Sequence, residues 1–197
     1  MKDITPDNIK TFIGLIEEAE HPVVVTHAKP DGDAIGSSVA MFHFLNMCGK
    51  QDTYLVLNDN CPRFLTFIKD TVPADRLVIR DGNENEAMAH IAAADLMICL
   101  DFHAFHRTGA LENAISESKA RKILIDHHLN PVEDFDLMIS YPEASSTCYM
   151  VALLVETMFG AESISKDMAI NIFVGMMTDT GNFAFSSVTP DVFRMVS

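Results

Sequence analysis

The chain has 197 residues, of which 48% are hydrophobic and 21% are charged, and its formal net charge is −14. This composition is typical of a soluble globular domain with a packed core, and the negative charge argues against binding long duplex nucleic acid through a basic groove. No apolar stretch approaches the roughly 20 residues of a transmembrane helix, and the amino terminus lacks the features of a signal peptide. We therefore expect a cytoplasmic location and no membrane partner.

The four cysteines predict neither a zinc ribbon nor a redox motif, because no Cys-x-x-Cys pair occurs. Cys99 and Cys148 lie in apolar stretches. We expect both to be reduced and buried.

Strand and helix patterns alternate along the chain. The expected strands are residues 23–27, 52–57, 76–79, 95–101, 121–125, 135–140 and 182–185. The expected helices are residues 6–20, 34–47, 63–69, 84–93, 109–118, 147–159 and 166–178. This order predicts an α/β domain with a mostly parallel sheet flanked by helices on both faces.

The helix-start pattern Thr189-Pro190-Asp191 comes only six residues before the last residue. A helix given so little length indicates a chain that stops short of its natural end. We expect residues 1–197 to form one domain, with a further domain missing downstream.

Acidic and histidine side chains follow three of the apolar strands. They are His27, Asp31 and Asp33 after the first strand, Asp101 after the fourth, and Asp126, His127 and His128 after the fifth. Because parallel strands end at one edge of a sheet, these side chains should lie together there. Asp179 follows a helix and could fold back onto the same edge.

Several carboxylates held close together repel each other unless cations neutralise them. Carboxylates with imidazoles and no thiolate suit Mn²⁺, Fe²⁺ or Co²⁺ better than Mg²⁺ or Ca²⁺ alone. Six candidate ligands are too many for one ion, because some of its coordination positions must stay open to substrate. The pattern therefore predicts two divalent cations, with Mn²⁺ favoured and Mg²⁺ or Co²⁺ as options.

Simpler interpretations compete with this one. A single aspartate after a strand is usually a loop or capping residue, and His43 and His90 lie within helix patterns as surface or core residues. His103 and His106 lie in the right loop but are left unassigned. The chain lacks a Gly-x-Gly-x-x-Gly motif, a Walker motif and a Gly-x-Ser-x-Gly elbow. This argues against a dinucleotide-binding protein, a P-loop nucleotidase and a serine hydrolase.

The chain resembles the DHH phosphoesterase superfamily at four motifs. They are HAKPDGDAIGS from His27 to Ser37, Leu100-Asp101, Asp126-His127-His128, and Thr178-Asp179-Thr180-Gly181. Within the superfamily it most resembles the nanoRNase branch, which acts as oligoribonuclease and 3′-phosphoadenosine-5′-phosphate (pAp) phosphatase. The expected domain is the DHH catalytic domain, and the small carboxy-terminal substrate-binding domain of that branch is absent from residues 1–197.

The resemblance implies two metal sites bridged by Asp101. His27 and Asp31 would complete the first, and Asp33, His127 and Asp179 the second. Asp101 and His128 would be the catalytic residues, with His128 contacting the scissile phosphate to stabilise charge or protonate the leaving oxygen.

Supporting roles are also implied. Asp126 would orient a histidine, and Arg107 would clamp phosphate, although a salt bridge is equally expected of it. Backbone N–H groups at a helix start would bind phosphate. That start is formed by Ser145, Ser146 and Thr147. The loop 102–106 departs from the more polar loop usual in the family.

These features predict a metal-dependent phosphoesterase that hydrolyses short oligoribonucleotides or pAp with a hydroxide activated by two metal ions. The expected partner is a short RNA or nucleotide, and a homodimer is left open. Three alternatives stay open as well. They are a manganese-dependent inorganic pyrophosphatase or cyclic dinucleotide phosphodiesterase, a non-catalytic nucleotide-binding or regulatory module, and a domain that serves only for dimerisation.

Overall fold

The protein is built around one six-stranded sheet in which every pairing is parallel. The structure is a computed structural model that describes residues 4–197, except for the side chain of Ile68. The strands are Pro22–Thr26 (β1), Tyr54–Leu57 (β2), Leu77–Ile79 (β3), Leu96–Leu100 (β4), Arg121–Asp126 (β5) and Leu137–Ser140 (β6). Their order across the sheet is β3-β2-β1-β4-β5-β6.

Eight α-helices accompany the sheet in the described part of the chain. They are Pro6–Glu18 (α1), Gly32–Met47 (α2), Thr66–Lys69 (α3), Glu84–Ala93 (α4), Glu112–Ser116 (α5), Thr147–Phe159 (α6), Lys166–Asp179 (α7) and Pro190–Met195 (α8). Short 3-10 turns cover Arg63–Leu65, Phe105–Leu111 and Ala161–Ser163.

Two hydrophobic cores lie on opposite faces of the sheet. In β4, Leu96, Ile98 and Leu100 pack into the core shared with α1, α2, α6 and α7, while Met97 and Cys99 pack into the core shared with α4 and α5. Alternate side chains of a strand point to opposite faces, so a strand buried on both sides must be apolar throughout. The predicted parallel sheet with helices on both faces is confirmed.

The strand order reverses direction between β1 and β4. From β1 the chain proceeds to β2 and β3 on one side, and then returns to place β4, β5 and β6 on the other. Neighbouring loops at such a reversal turn away from each other and leave a crevice at the carboxyl ends of the strands, where α/β proteins bind ligands. This topology leaves an opening next to His27 and Asp101.

Two glycines allow α2, α6 and α7 to pack closely. A Cβ atom on Gly36 of α2 would lie 2.5 Å from the backbone oxygen of Asn171 in α7 and 2.9 Å from the sulfur of Cys148 in α6. A Cβ atom on Gly175 of α7 would clash with the same sulfur. Since Asp33 begins α2 and Asp179 ends α7, this packing sets the distance between two predicted ligands.

Two predicted elements are wrong. Residues 182–185 form turns instead of a strand, because Asn182 and Phe183 both have left-handed backbones, with φ of 57° and 62°. The predicted helix 109–118 is broken as well: a 3-10 turn runs to Leu111, with Gly109 at φ 65°, and α5 ends at Ser116.

Other expectations agree with the structure. Cys99 and Cys148 are free and fully buried. Residues 137–140 form an edge strand. Among the described residues, no helix has both the length and the apolar character needed to cross a membrane.

Replacing Gly36 by alanine tests the close helix packing. We expect Gly36→Ala to lower the free energy of unfolding by about 1–3 kcal/mol, because the new methyl group overpacks the contact with α7. Gly14→Ala in α1 is the matched control, since a Cβ atom there meets nothing within 4 Å and alanine favours a helix by about 1 kcal/mol. Urea unfolding of both variants measures the difference, and equal stability would contradict the packing argument.

Candidate metal centre

The candidate site lies at the carboxyl edge of the sheet, beside the reversal of strand order. His27 follows β1, Asp101 follows β4, and Asp126 ends β5 directly before His127 and His128. The three remaining acidic residues lie at helix ends: Asp31 caps α2, whose first turn contains Asp33, and Asp179 is the last residue of α7. Strand ends and helix ends therefore meet at one point.

The first group of potential ligands is His27, Asp31 and Asp101. The Nε2 atom of His27 lies 3.5 Å from Oδ2 of Asp101 and 4.0 Å from Oδ1 of Asp31. The other ring nitrogen, Nδ1, lies 2.9 Å from the backbone oxygen of Ala28. That contact keeps a proton on Nδ1 and leaves Nε2 as the lone-pair donor to a metal.

The second group is Asp33, His127 and Asp179. The Nε2 atom of His127 lies 3.7 Å from Oδ2 of Asp33, 3.5 Å from Oδ2 of Asp179 and 3.6 Å from Oδ1 of Asp101. These separations exceed hydrogen-bond lengths. They match two ligands of one ion whose bonds are each about 2 Å long.

Asp101 connects the two groups. Its Oδ2 faces His27 while its Oδ1 faces His127, so one carboxylate lies between both groups of potential ligands. The residue has a left-handed backbone, with φ of 64°, a conformation that is uncommon outside glycine and concentrated at functional sites. The Thr147 hydroxyl donates a 2.9 Å hydrogen bond to Oδ1 and helps to hold the carboxylate in place.

Asp33 is held by the start of α6. The backbone N–H groups of Thr147 and Cys148 donate hydrogen bonds of 2.7 and 2.8 Å to its two oxygens, and the N-cap Ser146 accepts from the N–H of Tyr149 at 3.0 Å. Sequence reasoning assigned this helix start to substrate phosphate. The structure places its first N–H groups on Asp33 and on its own cap instead.

Burial and mutual repulsion raise the pKa values of the clustered carboxyls. The pKa of Asp33 is raised to about 6, mainly by burial and further by the charge of Asp31, against the effect of its two backbone hydrogen bonds. That of Asp179 is also raised to about 6, by burial and by Asp33. The pKa of Asp101 is raised well above its ordinary value by burial, with Asp33 and Asp31 adding to the effect.

A cation is the natural partner for this cluster. Within residues 4–197, the only ion-pair contacts of Asp33, Asp101 and Asp179 are with histidines. Carboxylate and imidazole donors without thiolate, arranged in two groups about a shared aspartate, fit divalent cations. The donor set therefore suits the metal ions that the sequence predicted.

His128 contacts Asp126 and also belongs to a third group of potential ligands with Asp101 and His127, its Nδ1 lying 3.8 Å from Oδ1 of Asp101. The Nδ1 atom of His128 lies 2.7 Å from Oδ1 of Asp126, which is fully buried, and this hydrogen bond raises the pKa of His128. Asp126 thus orients a histidine, as the sequence indicated, and that histidine is His128. With Nδ1 engaged, Nε2 is the nitrogen that can act on a ligand.

The loop after β4 contributes two further groups. The His103 ring lies 5.8 Å from that of His128, and its buried Nδ1 has no hydrogen-bond partner among the described residues. Arg107 is exposed and, within residues 4–197, makes no ion pair with a carboxylate, so the expected salt bridge is not formed. The sequence left His103 unassigned, and the one signal for it was its position two residues after Asp101. Nothing in the sequence indicated that the Thr147 hydroxyl would contact Asp101.

The remaining histidines of interest lie away from the site or at its margin. His43 contacts the Thr71 hydroxyl at 2.8 Å, and His90 stacks on Tyr54. His106 is exposed, next to His103.

Comparison with known proteins identifies the family. The profile of the N-terminal domain of the DHH family matches residues 22–176. The chain belongs to the DHH family. The matched residues include every predicted metal ligand except Asp179, which follows them by three residues.

Three relatives illustrate the similarity. A Thermus thermophilus protein named "Bifunctional oligoribonuclease and PAP phosphatase NrnA" is 30% identical over 97% of this chain and 53% of its own length. An exopolyphosphatase-related protein from Bacteroides fragilis is 35% identical, with a TM-score of 0.92 over 100% of this chain and 56% of its own. Exonuclease RecJ bound to manganese shares the fold, with a TM-score of 0.58 and 15% identity over 100% of this chain and 48% of its own.

The chain spans about half the length of the relatives named above.

Metal binding should stabilise the protein through Asp101. At Mn²⁺ concentrations 100 to 1,000 times the dissociation constant, the free energy of unfolding of the unaltered protein should rise by about 3–4 kcal/mol. Asp101→Asn should gain little, because it weakens both ligand groups at once. In EDTA at pH 8, however, the variant should be at least as stable as the unaltered protein, since a buried repulsive charge is gone.

Urea unfolding with EDTA or Mn²⁺ measures these differences. Asp191→Asn, which removes a surface carboxylate on α8, is the control and should gain as much from Mn²⁺ as the unaltered protein. An equal gain in Asp101→Asn would contradict the bridging assignment.

The raised pKa values also predict a pH dependence. In the metal-free folded protein, Asp33 and Asp179 hold protons at a pH where the unfolded chain has lost them. The free energy of unfolding should therefore fall as the pH rises from about 4 to about 6. Saturating Mn²⁺ should remove this fall, because cations replace the protons.

Urea unfolding at several pH values, with EDTA or Mn²⁺, measures the effect. Asp179→Asn should show a shallower fall in the metal-free state than the unaltered protein. Stability that rises with pH over this range in EDTA would contradict the electrostatic account.

Proposed function

We propose that the protein is a metal-dependent phosphoesterase that hydrolyses short oligoribonucleotides and pAp. The observation that carries the proposal is Asp101, whose two carboxylate oxygens face two separate ligand groups within one crevice. The name of the Thermus thermophilus relative supports this choice of substrate. Because the chain spans about half of that relative, activity and substrate are both proposals here.

Two divalent cations would be held by six side chains, with Asp101 shared between them. His27 and Asp31 would complete one site, and Asp33, His127 and Asp179 the other. When bound, such a pair supplies an activated water and offsets negative charge on the phosphoryl oxygens. We propose Mn²⁺ because mixed carboxylate and imidazole donors suit it, and RecJ, which shares the fold, is described as bound to manganese.

The protein's own contribution to the reaction lies in charge and proton placement. Asp126 holds Nδ1 of His128 at 2.7 Å, so its ring is fixed with Nε2 free to donate a proton to the leaving oxygen or a hydrogen bond to phosphate. The raised pKa of His128 favours the protonated ring that such a donor requires. Asp126 acts as a positioning residue, since its carboxylate is hydrogen-bonded to His128.

Arg107 would contact a phosphate of the substrate. Its guanidinium makes no ion pair with a carboxylate in the described chain, although acidic residues outnumber basic ones 28 to 14. Its positive charge partly offsets the raised pKa of His128 and adds, after burial and the charge of His128, to the lowering of the pKa of His103. The run from Ser145 to Thr147 serves, in this proposal, to hold Asp33 and Asp101 rather than the substrate.

The proposal includes a short RNA or nucleotide as partner, and excludes long duplex nucleic acid, because the chain is strongly acidic. It also includes a cytoplasmic location, where substrates of this kind arise.

The assay that tests this function compares substrates. With Mn²⁺, the purified protein should release mononucleotides from diribonucleotides and phosphate from pAp, and act much more slowly on pyrophosphate and cyclic di-AMP. Asp101→Ala serves as the inactive control. Activity no higher than that of Asp101→Ala on any of the four compounds would reject the proposal in favour of a binding module, whereas a preference for pyrophosphate or cyclic di-AMP would replace the substrate.

Variants at His128 and Asp126 test the proton-donor role proposed for the first and the positioning role proposed for the second. His128→Gln should lower kcat by about 10²- to 10⁴-fold, the usual contribution of general acid catalysis. Asp126→Asn should lower kcat by about 10- to 100-fold, since it removes an orienting contact. Both should bind Mn²⁺ like the unaltered protein in calorimetric titration, whereas a loss of Mn²⁺ from His128→Gln would make this residue a ligand.

A further inference from the structure

Two aromatic side chains and an arginine are exposed on the short helical segment after β2. Phe64 is 73% exposed and Phe67 is 51% exposed, whereas Leu65 between them is buried in the core. Phe64 belongs to the 3-10 turn Arg63–Leu65 and Phe67 to α3, three positions later, and Arg63 is exposed as well. The segment is therefore anchored and presents an exposed aromatic surface with a cation beside it.

Arg63 is one of two arginines that lack an acidic partner in the described chain, which includes every arginine of the sequence. The other four make ion pairs; they are Arg76, Arg80, Arg121 and Arg194. The two without such pairs, Arg63 and Arg107, follow β2 and β4, the strands on either side of β1. Guanidinium groups without a carboxylate partner among residues 4–197, in the segments that follow these two strands, suit a ligand with more than one phosphate.

Hydrogen bonds attach the loop after β2 to the candidate site. Oδ2 of Asp59 accepts from the N–H of Lys29 at 2.7 Å, two residues before Asp31. Oδ1 of Asn58 accepts from the N–H of Ala110 at 3.1 Å, in the loop of Arg107. Arg63 comes four residues after Asp59, so their Cα atoms are at most about 14 Å apart, within reach of an extended dinucleotide bound at the centre.

We propose that Phe64 and Phe67 form a stacking platform for a nucleobase of the substrate, with Arg63 binding the neighbouring phosphate. This inference rests on the proposed function and specifies its substrate: a single-stranded oligonucleotide of two or more nucleotides. Stacking on aromatic rings is tolerant of sequence because every base has a π face. Single exposed hydrophobic residues need no explanation, but two exposed aromatic residues three positions apart, beside an arginine with no carboxylate partner among residues 4–197, match the elements of a single-strand site.

The kinetic test uses the double variant Phe64→Ala/Phe67→Ala and three substrates. They are a diribonucleotide and two analogues of it, each lacking one base. Loss of stacking should raise KM for the diribonucleotide by about 10- to 100-fold and leave kcat nearly unchanged, because the metal centre is intact. The same variant should leave KM unchanged for the one analogue that lacks the stacked base.

Matched variants separate stacking from stability. Phe64→Trp, which keeps an aromatic face, should retain the KM of the unaltered protein. Phe159→Ala removes a Phe that is 49% exposed at the far end of α6, roughly 18 Å from Thr147 along the helix, and should not alter KM. Arg63→Ala should raise KM for the diribonucleotide about tenfold, whereas Arg194→Ala should not.

Nuclear magnetic resonance gives a readout independent of turnover. With Mg²⁺ and a non-hydrolysable diribonucleotide, base protons should shift upfield under the ring currents of the platform, and the shift should vanish in Phe64→Ala/Phe67→Ala. An inactive unaltered protein that still shows the shift would reject the proposed function and keep the platform. If the unaltered protein is active but shows no upfield shift, and the double variant keeps its KM, the platform is wrong. It is also wrong if the double variant differs from the unaltered protein only in oligomeric state.

Discussion

Mutual repulsion among buried carboxylates is the constraint on which the site depends. Asp33 and Asp101 lie inside the protein, close to Asp179, with no lysine or arginine paired to any of them in the described chain. Such charges are costly to bury unless a cation or a proton joins them. The protein therefore holds together a cluster that favours metal binding, and Asp101 is its centre because both ligand groups include it or face it.

The contacts that position the acidic ligands also join the helices to one another. Asp33 accepts two N–H groups from the start of α6, which supplies partial positive charge to the carboxylate. The α2 and α7 helices that carry Asp33 and Asp179 pack through Gly36 and Gly175. Stability and ligand geometry are thus coupled, and a methyl group at Gly36 should disturb both.

The strands and most of the site could be predicted because their signals are local. Apolar runs such as 96–100 mark strands buried on both faces, and polar residues directly after them mark the carboxyl edge. The failures have local physical causes that patterns do not reveal: left-handed residues at Asn182 and Phe183 turn the chain where a strand was expected. Gly109 likewise breaks a predicted helix by adopting φ 65°.

By itself, the sequence determined the fold class, the candidate metal ligands and their family, because alternating periodicity and four motifs carry that information. Only the tertiary structure decided which side chains share a site and which partner each one takes. It placed Asp126 next to His128, directed two N–H groups of α6 to Asp33, and left Arg63 and Arg107 without a carboxylate partner among residues 4–197. Those outcomes depend on strand order and helix packing between residues far apart in the chain, which no local pattern encodes.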